Sequence, residues 1–404
     1  MIDEPGPWGT GPFTLVQGAS SILTRNVIMT ADPYTCSWLI ESEDRSPEVV
    51  LEANLDHWNR AGRGPRIQRA VFRNTLSPSQ ALELCCSTDG EVDIVTEVDP
   101  PDAATVRESQ HARLIVADAN RVLCCIVNRA RTDVPLDSVD IRTALNLAVD
   151  RDRIISDGLH GYANAMPAMT PPWCSGFPQG ASPYPHDPDE ARRLFEKGGW
   201  PSGRPIRIAA PGPFRGIAQL VAGDLRKALD VAVEVAVVPA EMALAGARVL
   251  VEKKLDMGWD LLVHGWFDLS SEAPPAAVHR EFFGLDGAFR AGPPIEHFDA
   301  LFDRMKVALD GGELVRIAEE IDRYVYDQAL AVFLCAPQAL YAVNNHVSFG
   351  PYRTTFEIAE VTVDEDHWSR RDGAPQRGSL SLPSAIDVMG TEKPGFAGAA
   401  GNAC

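Results

Sequence analysis

The chain has 404 residues, of which 45% are hydrophobic and 23% charged, a composition typical of a folded globular protein. That length exceeds what one hydrophobic core usually serves, and no apolar run is long enough to span a bilayer, so two or three globular domains are expected. The formal net charge of −19 argues against binding to nucleic acid or to acidic membrane surfaces.

The first part of the chain alternates between short strand and helix patterns. Ser77, followed by Pro78, has the order of a capping residue and a first-turn proline, which predicts a helix that ends near Gly90. A second helix is expected to begin at Pro101. Alternating apolar residues bounded by turns predict strands within 13–53 and at 69–73 and 91–95.

The middle of the chain carries the clearest helical pattern. Apolar residues recur at helical spacing over 139–159, where Asp150 can cap the second half. Residues 166–188 contain seven prolines and are therefore predicted to form a loop. Asp187, with the proline after it, predicts the start of another helix, which ends at Gly198.

From residue 205 onward the pattern predicts an α/β sheet. A strand at 206–210, a helix at 216–229 and a strand at 231–238 form a βαβ unit, which favours an open sheet. A buried strand is expected at 259–263 and a long amphipathic helix around 314–325. The helix is followed by an apolar strand at 331–337 and by a further segment, LYAVNN, at 340–345. Beyond Arg371 glycine, alanine, serine and proline dominate, so 372–404 is predicted to be disordered.

Five motifs occur in a fixed order along the chain. They are GTGPF at 9–13, NLDHW at 54–58 followed by PRIQRAVF at 65–72, GEVDI at 90–94, VDIRTALNLAVDR at 139–151, and YPHDPDEARRL at 184–194. In this order they resemble motifs of the family 5 extracytoplasmic solute-binding proteins, the oligopeptide-, dipeptide- and nickel-binding type of ABC importers. The motif at 139–151 is the most specific of the five.

The resemblance implies an α/β fold of two lobes, like the periplasmic binding proteins, with mixed sheets. Because it begins at residue 9, the family's N-terminal portion is expected to be lacking and the first lobe to be incomplete. The implied organisation assigns 1–127 to the remaining part of lobe I, 128–345 to lobe II and 346–371 to a return to lobe I. Lobe I would then have an open sheet edge that a protein partner or the tail covers.

The resemblance also implies a ligand site between lobes that close by a hinge motion. Relatives place an acidic residue shortly after a tryptophan, and Trp266 matches that tryptophan while Asp268 comes one residue early. Trp173, in the proline-rich loop, is a second flat aromatic wall. Phe214 and Arg215 follow a predicted strand, where open α/β sheets bind ligands, and Arg215 could bind a ligand carboxylate.

Each candidate also has a structural interpretation. Trp266 could belong to the core, Trp173 could fix its loop, Arg215 could be a solvated turn residue, and Asp268 could cap the loop after a buried strand. His264 and His279 have no spacing that defines a metal site, so no metal is expected. No nucleophile motif, phosphate loop or Rossmann glycine pattern occurs, so no cofactor is expected and binding is favoured over catalysis.

The expected function is therefore binding of a peptide or a small peptide-like solute, delivered to ABC permease subunits. Two alternatives stay open, an interaction or scaffold protein and an intracellular biosynthetic enzyme or sensor on the same fold. The resemblance implies an extracytoplasmic location. The opening has neither the basic nor the apolar segment of a signal peptide, which would make a complete product cytoplasmic.

Overall fold

The computed structural model describes residues 9–18, 26–29, 36–39, 46–238, 258–267, 276–287, 290–353, 355–371 and 386–389. The chain divides into two compact units. Unit 1 is built mainly from Trp38–Asp118 and Ala339–Lys393, and unit 2 mainly from Ala119–Gln338. Within the described residues, no helix combines the length and apolar character needed to cross a bilayer.

Strands and helices are numbered in chain order. The strands are β1 (Phe13–Gln17), β2 (Asn26–Met29), β3 (Cys36–Leu39), β4 (Glu48–Ala53), β5 (Arg69–Arg73), β6 (Ile94–Val95), β7 (Ala112–Ala117), β8 (Arg121–Val127), β9 (Ala163–Ala165), β10 (Ile206–Pro211), β11 (Val233–Val238), β12 (Leu261–Phe267), β13 (Ala331–Pro337), β14 (Ala339–Asn344), β15 (Val347–Ser348), β16 (Pro351–Tyr352), β17 (Thr355–Phe356), β18 (Thr362–Val363) and β19 (Ile386–Met389). The helices are α1 (Arg60–Arg63), α2 (Pro78–Ser87), α3 (Ala103–Glu108), α4 (Val139–Ala148), α5 (Arg151–Arg153), α6 (Pro188–Lys197), α7 (Arg215–Leu229), α8 (Ala276–Phe283), α9 (Glu296–Val307) and α10 (Gly311–Asp327).

The helix starts predicted at Ser77 and Asp187 are confirmed by their capping contacts. At α2 the Ser77 hydroxyl accepts a hydrogen bond from the Gln80 N–H, while the Gln80 side chain accepts one from the Ser77 N–H. At α6 the Asp187 carboxylate accepts a hydrogen bond from the Glu190 N–H at 3.0 Å. Between β9 and α6 the proline-rich segment contains neither helix nor strand, as its composition predicts.

Unit 2 contains a six-stranded mixed sheet in the order β11-β10-β12-β8-β13-β9. Strand β10 pairs in parallel with β11 and β12, which confirms the βαβ unit formed with α7. Strand β12 runs antiparallel to β8, and β8 runs antiparallel to β13. The unit is therefore an α/β layer structure around one sheet.

Both faces of this sheet are covered by helices. Alternate residues of β8 point to opposite faces, so Leu123 and Cys125 join one core cluster and Val122 and Cys124 join the other. The first face is covered by α4, α6 and α7, and the second by α8, α9 and α10. A strand that is buried on both faces reads as a continuous apolar run, as this one does.

A buried polar network connects α4 to β13. The Asn146 Nδ2 donates to the Ala331 carbonyl at 2.9 Å, and its Oδ1 accepts from the Phe333 N–H at 3.1 Å. The Arg151 guanidinium donates to the Asn146 Oδ1 at 3.0 Å and to the Tyr184 carbonyl at 3.1 Å. Both side chains belong to the motif at 139–151, so that motif stabilises the packing of unit 2.

Unit 1 contains a seven-stranded sheet in the order β1-β4-β5-β19-β6-β14-β7. Strand β19 is parallel to both of its neighbours, whereas β4 with β5 and β6 with β14 are antiparallel pairs. Next to β6, the fully buried Asp93 accepts hydrogen bonds from Trp368 Nε1 at 2.9 Å and contacts His367 Nε2 at 3.0 Å. These contacts fix the segment that follows β18 against the sheet.

The division of the chain can be compared with two expectations about its organisation. The unit boundaries fall at 118/119 and 338/339, whereas 127/128 and 345/346 were expected. Each differs by one strand, because β8 pairs within unit 2 and β14 within unit 1. The segment 372–404 was expected to be disordered, but 386–389 form a strand inside the sheet of unit 1; the rest of that segment lies outside the described residues.

The cysteines whose side chains are described are free thiols. Cys124 and Cys125 are fully buried in β8, which confirms the interpretation of the run VLCCIV as small core residues. Burial raises the pKa of Cys124 and that of Cys335 to about 12, so neither thiol forms a reactive thiolate near neutral pH.

Candidate functional site

The candidate binding residues that the structure describes lie close to one edge of the sheet in unit 2. Strands β10 and β12 are parallel and end there at Pro211 and Phe267, and β8 begins there at Arg121, which pairs with Phe267. We call this edge the carboxyl edge. Open α/β sheets bind ligands beyond the carboxyl ends of their strands, and this rule was the reason for predicting Phe214 and Arg215 from the sequence.

Phe214 lies in the turn between β10 and α7 and packs onto β12. It is half-buried against the first face. A Cβ built on Gly265 would lie 2.7 Å from the Phe214 Cζ, so the ring occupies the space that a side chain at Gly265 would fill. The ring depends on this glycine for its position.

Arg215 follows directly as the first residue of α7, and its side chain is exposed. An exposed guanidinium remains charged and offers a planar pair of N–H donors that match a carboxylate. Its position at the carboxyl edge leaves it accessible to a solute.

Trp266 is placed on the other face of the sheet. Successive residues of a strand point to opposite faces, so Trp266 lies on the second face while Gly265 and Phe214 lie on the first. The indole is 7% exposed and packs edge-to-face on Phe282 of α8, with ring centroids 5.5 Å apart. Its surroundings are therefore those of a core residue at the end of a strand.

Trp173 is half-buried and its orientation is fixed. The indole Nε1 donates to the Asn120 Oδ1 at 3.1 Å, and Asn120 directly precedes β8. The indole packs against the second face, in the cluster that includes Trp266. The same loop is held further along by Asp322 of α10, which accepts hydrogen bonds from the backbone N–H groups of Met169 and Thr170.

The structure thus brings Trp173 and Trp266 to the second face and Phe214 to the first, all close to the carboxyl edge. Asp268 lies outside the described residues. Asn120 was not identified from sequence, because an asparagine between two strands gives no signal until its indole partner is known.

The two histidines considered as metal ligands have structural roles. His264 is buried beside the Phe282 ring at a centroid distance of 5.3 Å, and burial lowers the pKa of His264 to about 4. The His279 Nε2 contacts the Asp322 carboxylate at 2.7 Å. His279 thus supports the carboxylate that holds the loop of Trp173.

A further polar cluster lies in unit 1. His346, Asp364 and Asp366 have side-chain ligand atoms within 4.8 Å of one another, beside a cavity of about 260 Å³. The Asp364 carboxylate lies 3.1 Å from His346 Nδ1 and accepts a hydrogen bond from the Asp366 N–H. These mutual contacts account for the arrangement without a bound ion.

The contact between Phe214 and β12 can be tested by stability measurements. We expect Gly265→Ala to lower the free energy of unfolding by about 1–3 kcal/mol, because the new methyl group overlaps the ring. In a Phe214→Leu background the same substitution should cost clearly less, which a double-mutant cycle in urea measures. Gly216→Ala is the control, since nothing lies within 4 Å of its added Cβ. Equal costs in both backgrounds would contradict the contact.

Comparison with known proteins identifies the family of the chain. Residues 4–280 match the model of the bacterial extracellular solute-binding proteins, family 5 middle region. A probable di/tripeptide-binding protein of Pseudomonas aeruginosa is 26% identical over 304 residues, which cover 72% of this chain and 54% of that protein. Heme-binding protein A of Haemophilus influenzae is 27% identical over 229 residues, which cover 55% of this chain and 36% of that protein. The chain thus spans about half or less of the length of these relatives.

Solved structures show the same fold. The ABC transporter substrate-binding protein CtaP of Listeria monocytogenes superposes with a TM-score of 0.70 at 18% identity, covering 88% of this chain and 67% of that one. DppA of Helicobacter pylori, solved in complex with the peptide STSA, gives 0.62 at 18% identity, covering 88% and 63%. The architecture is the two-lobe α/β fold of the periplasmic binding proteins. The chain belongs to family 5 of the bacterial extracellular solute-binding proteins.

Proposed function

We propose that the chain is a solute-binding protein of an ABC import system, and that it binds a short peptide or peptide-like solute at the carboxyl edge of unit 2. The observation that carries the proposal is that Trp173, Phe214 and Arg215 lie close to the sheet edge where α/β folds bind ligands. Relatives named for binding di/tripeptides and glutathione support a peptide-like ligand.

The side chains at this edge match the chemistry of such a solute. Arg215 supplies an exposed cation suited to a carboxylate. Trp173 supplies a rigid aromatic surface, because its indole is held by Asn120. Phe214 adds a half-buried apolar ring. We assign Asp268, which follows β12, to the amino group of the ligand by its resemblance to the acidic residue of the relatives.

Trp266 has a supporting role in this proposal. Because the indole is buried, Trp266→Ala would create a cavity that costs about 3–5 kcal/mol of stability. Loss of binding in that variant would therefore not distinguish a ligand contact from unfolding. Exposed or half-buried residues of the edge make better probes.

The first test is isothermal calorimetry of the full chain against di- and tripeptides with free or amidated C-termini. We expect Arg215→Ala to weaken binding of free-acid peptides about tenfold, since one charged hydrogen bond contributes about 1.5 kcal/mol. The parent chain should bind amidated peptides more weakly than free acids. The Arg215→Ala variant should bind the two kinds of peptide equally. Arg193→Ala is the control, because Arg193 is an exposed arginine of α6 paired with Glu190. A parent chain that is folded but binds none of the peptides would overturn the proposal.

The same titrations test the aromatic surface. Trp173→Phe removes the hydrogen bond to Asn120, and we expect severalfold weaker binding because the ring loses its fixed orientation. Trp200→Phe is the matched control, since its indole N–H also donates one hydrogen bond, to the Arg204 carbonyl at 2.8 Å, beyond the opposite end of β10. Equal losses of affinity in the two variants would argue against Trp173 as a ligand contact.

Delivery to ABC permease subunits and an extracytoplasmic location complete the proposal. The family, whose members are bacterial extracellular solute-binding proteins, supports both parts of the proposal. Fractionation of cells that express the full-length natural product tests the location, and its appearance in the cytoplasm alone would contradict the import role.

A further inference from the structure

The sheet of unit 1 contains a strand from far along the chain in an interior position. Strand β19 lies between β5 and β6 and runs parallel to both. Val388 is in register with Phe72 on one side and with Ile94 on the other. Residues 386–389 therefore connect two parts of the sheet, β1-β4-β5 and β6-β14-β7, that contact each other through this strand.

The neighbours of β19 belong to the core of the unit. Ala70 of β5 and Ile94 of β6 are fully buried, and Val95 is 1% exposed. Backbone N–H and C=O groups at such positions need partners, because an unpaired buried group costs as much as a lost hydrogen bond. An unfilled gap between β5 and β6 would also present two strand edges that bind any extended chain.

The chain is fixed close to this gap before it reaches β19. His367 and Trp368 contact the buried Asp93, which directly precedes β6. Arg371 pairs with Asp89 at 2.6 Å. A strand tethered beside its own binding site has a high effective concentration there, which strengthens the binding of a strand only four residues long.

We propose that the gap between β5 and β6 is a binding site for an extended peptide in parallel orientation, and that 386–389 are its resident intramolecular ligand. The sheet is then completed by a strand that is held by noncovalent contacts and can dissociate from the rest of the unit. This site is independent of the carboxyl edge of unit 2 and of the solute that binds there.

A cleavable full chain tests this site. A protease site inserted between residues 378 and 379 allows the folded protein to be cut after purification. We expect the fragment 379–404 to remain with the body on gel filtration and to exchange with a fluorescent synthetic peptide of residues 381–392. A peptide with Val388→Pro should bind roughly tenfold or more weakly, because proline removes a backbone donor at the position registered with both neighbours. A peptide with Ser381→Pro, changed before the first paired residue, should bind like the parent peptide.

Hydrogen exchange on the uncut chain gives an independent test of whether residues 386–389 protect β5 and β6. We expect Val388→Pro in the full chain to reduce protection of the β5 and β6 amides, while the amides of β8 in unit 2 keep theirs. The proposal is overturned if β5 and β6 keep full protection in this variant. It is also overturned if the cut body stays folded and monomeric but takes up no labelled peptide. A dimer in which residues 386–389 of one copy pair with β5 of another copy, detected by chemical cross-linking, would overturn the intramolecular assignment.

Discussion

Replacing Asn146 by alanine is expected to lower the free energy of unfolding by about 3–5 kcal/mol, because each buried group left without a hydrogen-bond partner costs about 1–3 kcal/mol. The side chain is fully buried and makes hydrogen bonds to the Ala331 carbonyl, the Phe333 N–H and the Arg151 guanidinium. Burial lowers the pKa of Arg151 to about 10, which still leaves it charged at neutral pH. The variant would leave this buried cation and two backbone groups of β13 short of a partner.

Urea unfolding followed by circular dichroism measures this effect. The control is Asp140→Ala on the same helix, because Asp140 pairs with Lys197 at 2.8 Å in a solvent-accessible position. Exposed ion pairs contribute at most about 1 kcal/mol, so the control should lose no more than that. Similar losses in the two variants would show that the network is not a major source of stability.

The stability of the chain is expected to depend on pH through His264. Burial lowers the pKa of this imidazole from 6.5 to about 4 in the folded state. As the pH falls from 6.5 to 4, the unfolded chain therefore binds a proton that the folded chain does not. The contribution of the neutral His264 side chain to the free energy of unfolding is fully present above pH 6.5. It is lost as the pH falls towards 4, and the total loss is about 3 kcal/mol.

Comparison of the parent with His264→Gln separates the pH dependence due to His264 from the pH dependence due to the carboxylates of the chain. Unfolding free energies measured at several pH values should give a curve that rises less steeply between pH 4 and 6.5 in the variant. His186→Gln, which removes an exposed imidazole, is the control for a change in composition. A variant curve parallel to that of the parent over this range would contradict the role of His264.

Much of the secondary structure could be read from short segments. The capping serine of α2 and the capping aspartate of α6 are recognisable because a cap involves residues only three positions apart. The unit β10-α7-β11 could be read for the same reason, since periodicity within each segment reports its buried face. Long-range contacts were not needed for these predictions.

The unit boundaries could not be read in this way. The run VLCCIV is apolar on both faces and fits an interior strand of either sheet. Its assignment to unit 2 depends on pairing with β12, which lies more than a hundred residues later in the chain. The same holds for β14, whose pairing with β6 and β7 assigns it to unit 1.

The positions of the candidate site residues in the sheet depend on both local and tertiary structure. The predicted strand before them indicated that Phe214 and Arg215 would lie at a carboxyl end. Trp266 was selected by its resemblance to the tryptophan of the relatives. Which face each side chain occupies depended on the strand's own alternation, which set Trp266 against α8 and left the first face at Gly265 to the Phe214 ring. The hydrogen bond between Trp173 and Asn120 likewise joins residues that are far apart in sequence.

Residues 386–389 show most clearly the difference between structure that is determined locally and structure that is determined by tertiary contacts. Composition after Arg371 indicates whether a segment can bury enough apolar surface by itself, and this one cannot. A strand is stabilised by the backbone groups and side chains of the strands beside it, which composition does not report. Caps and periodicity thus determined the local elements, and the resemblance of the ordered motifs indicated the fold class and family. Pairing between distant strands decided the unit boundaries and the completion of the sheet in unit 1.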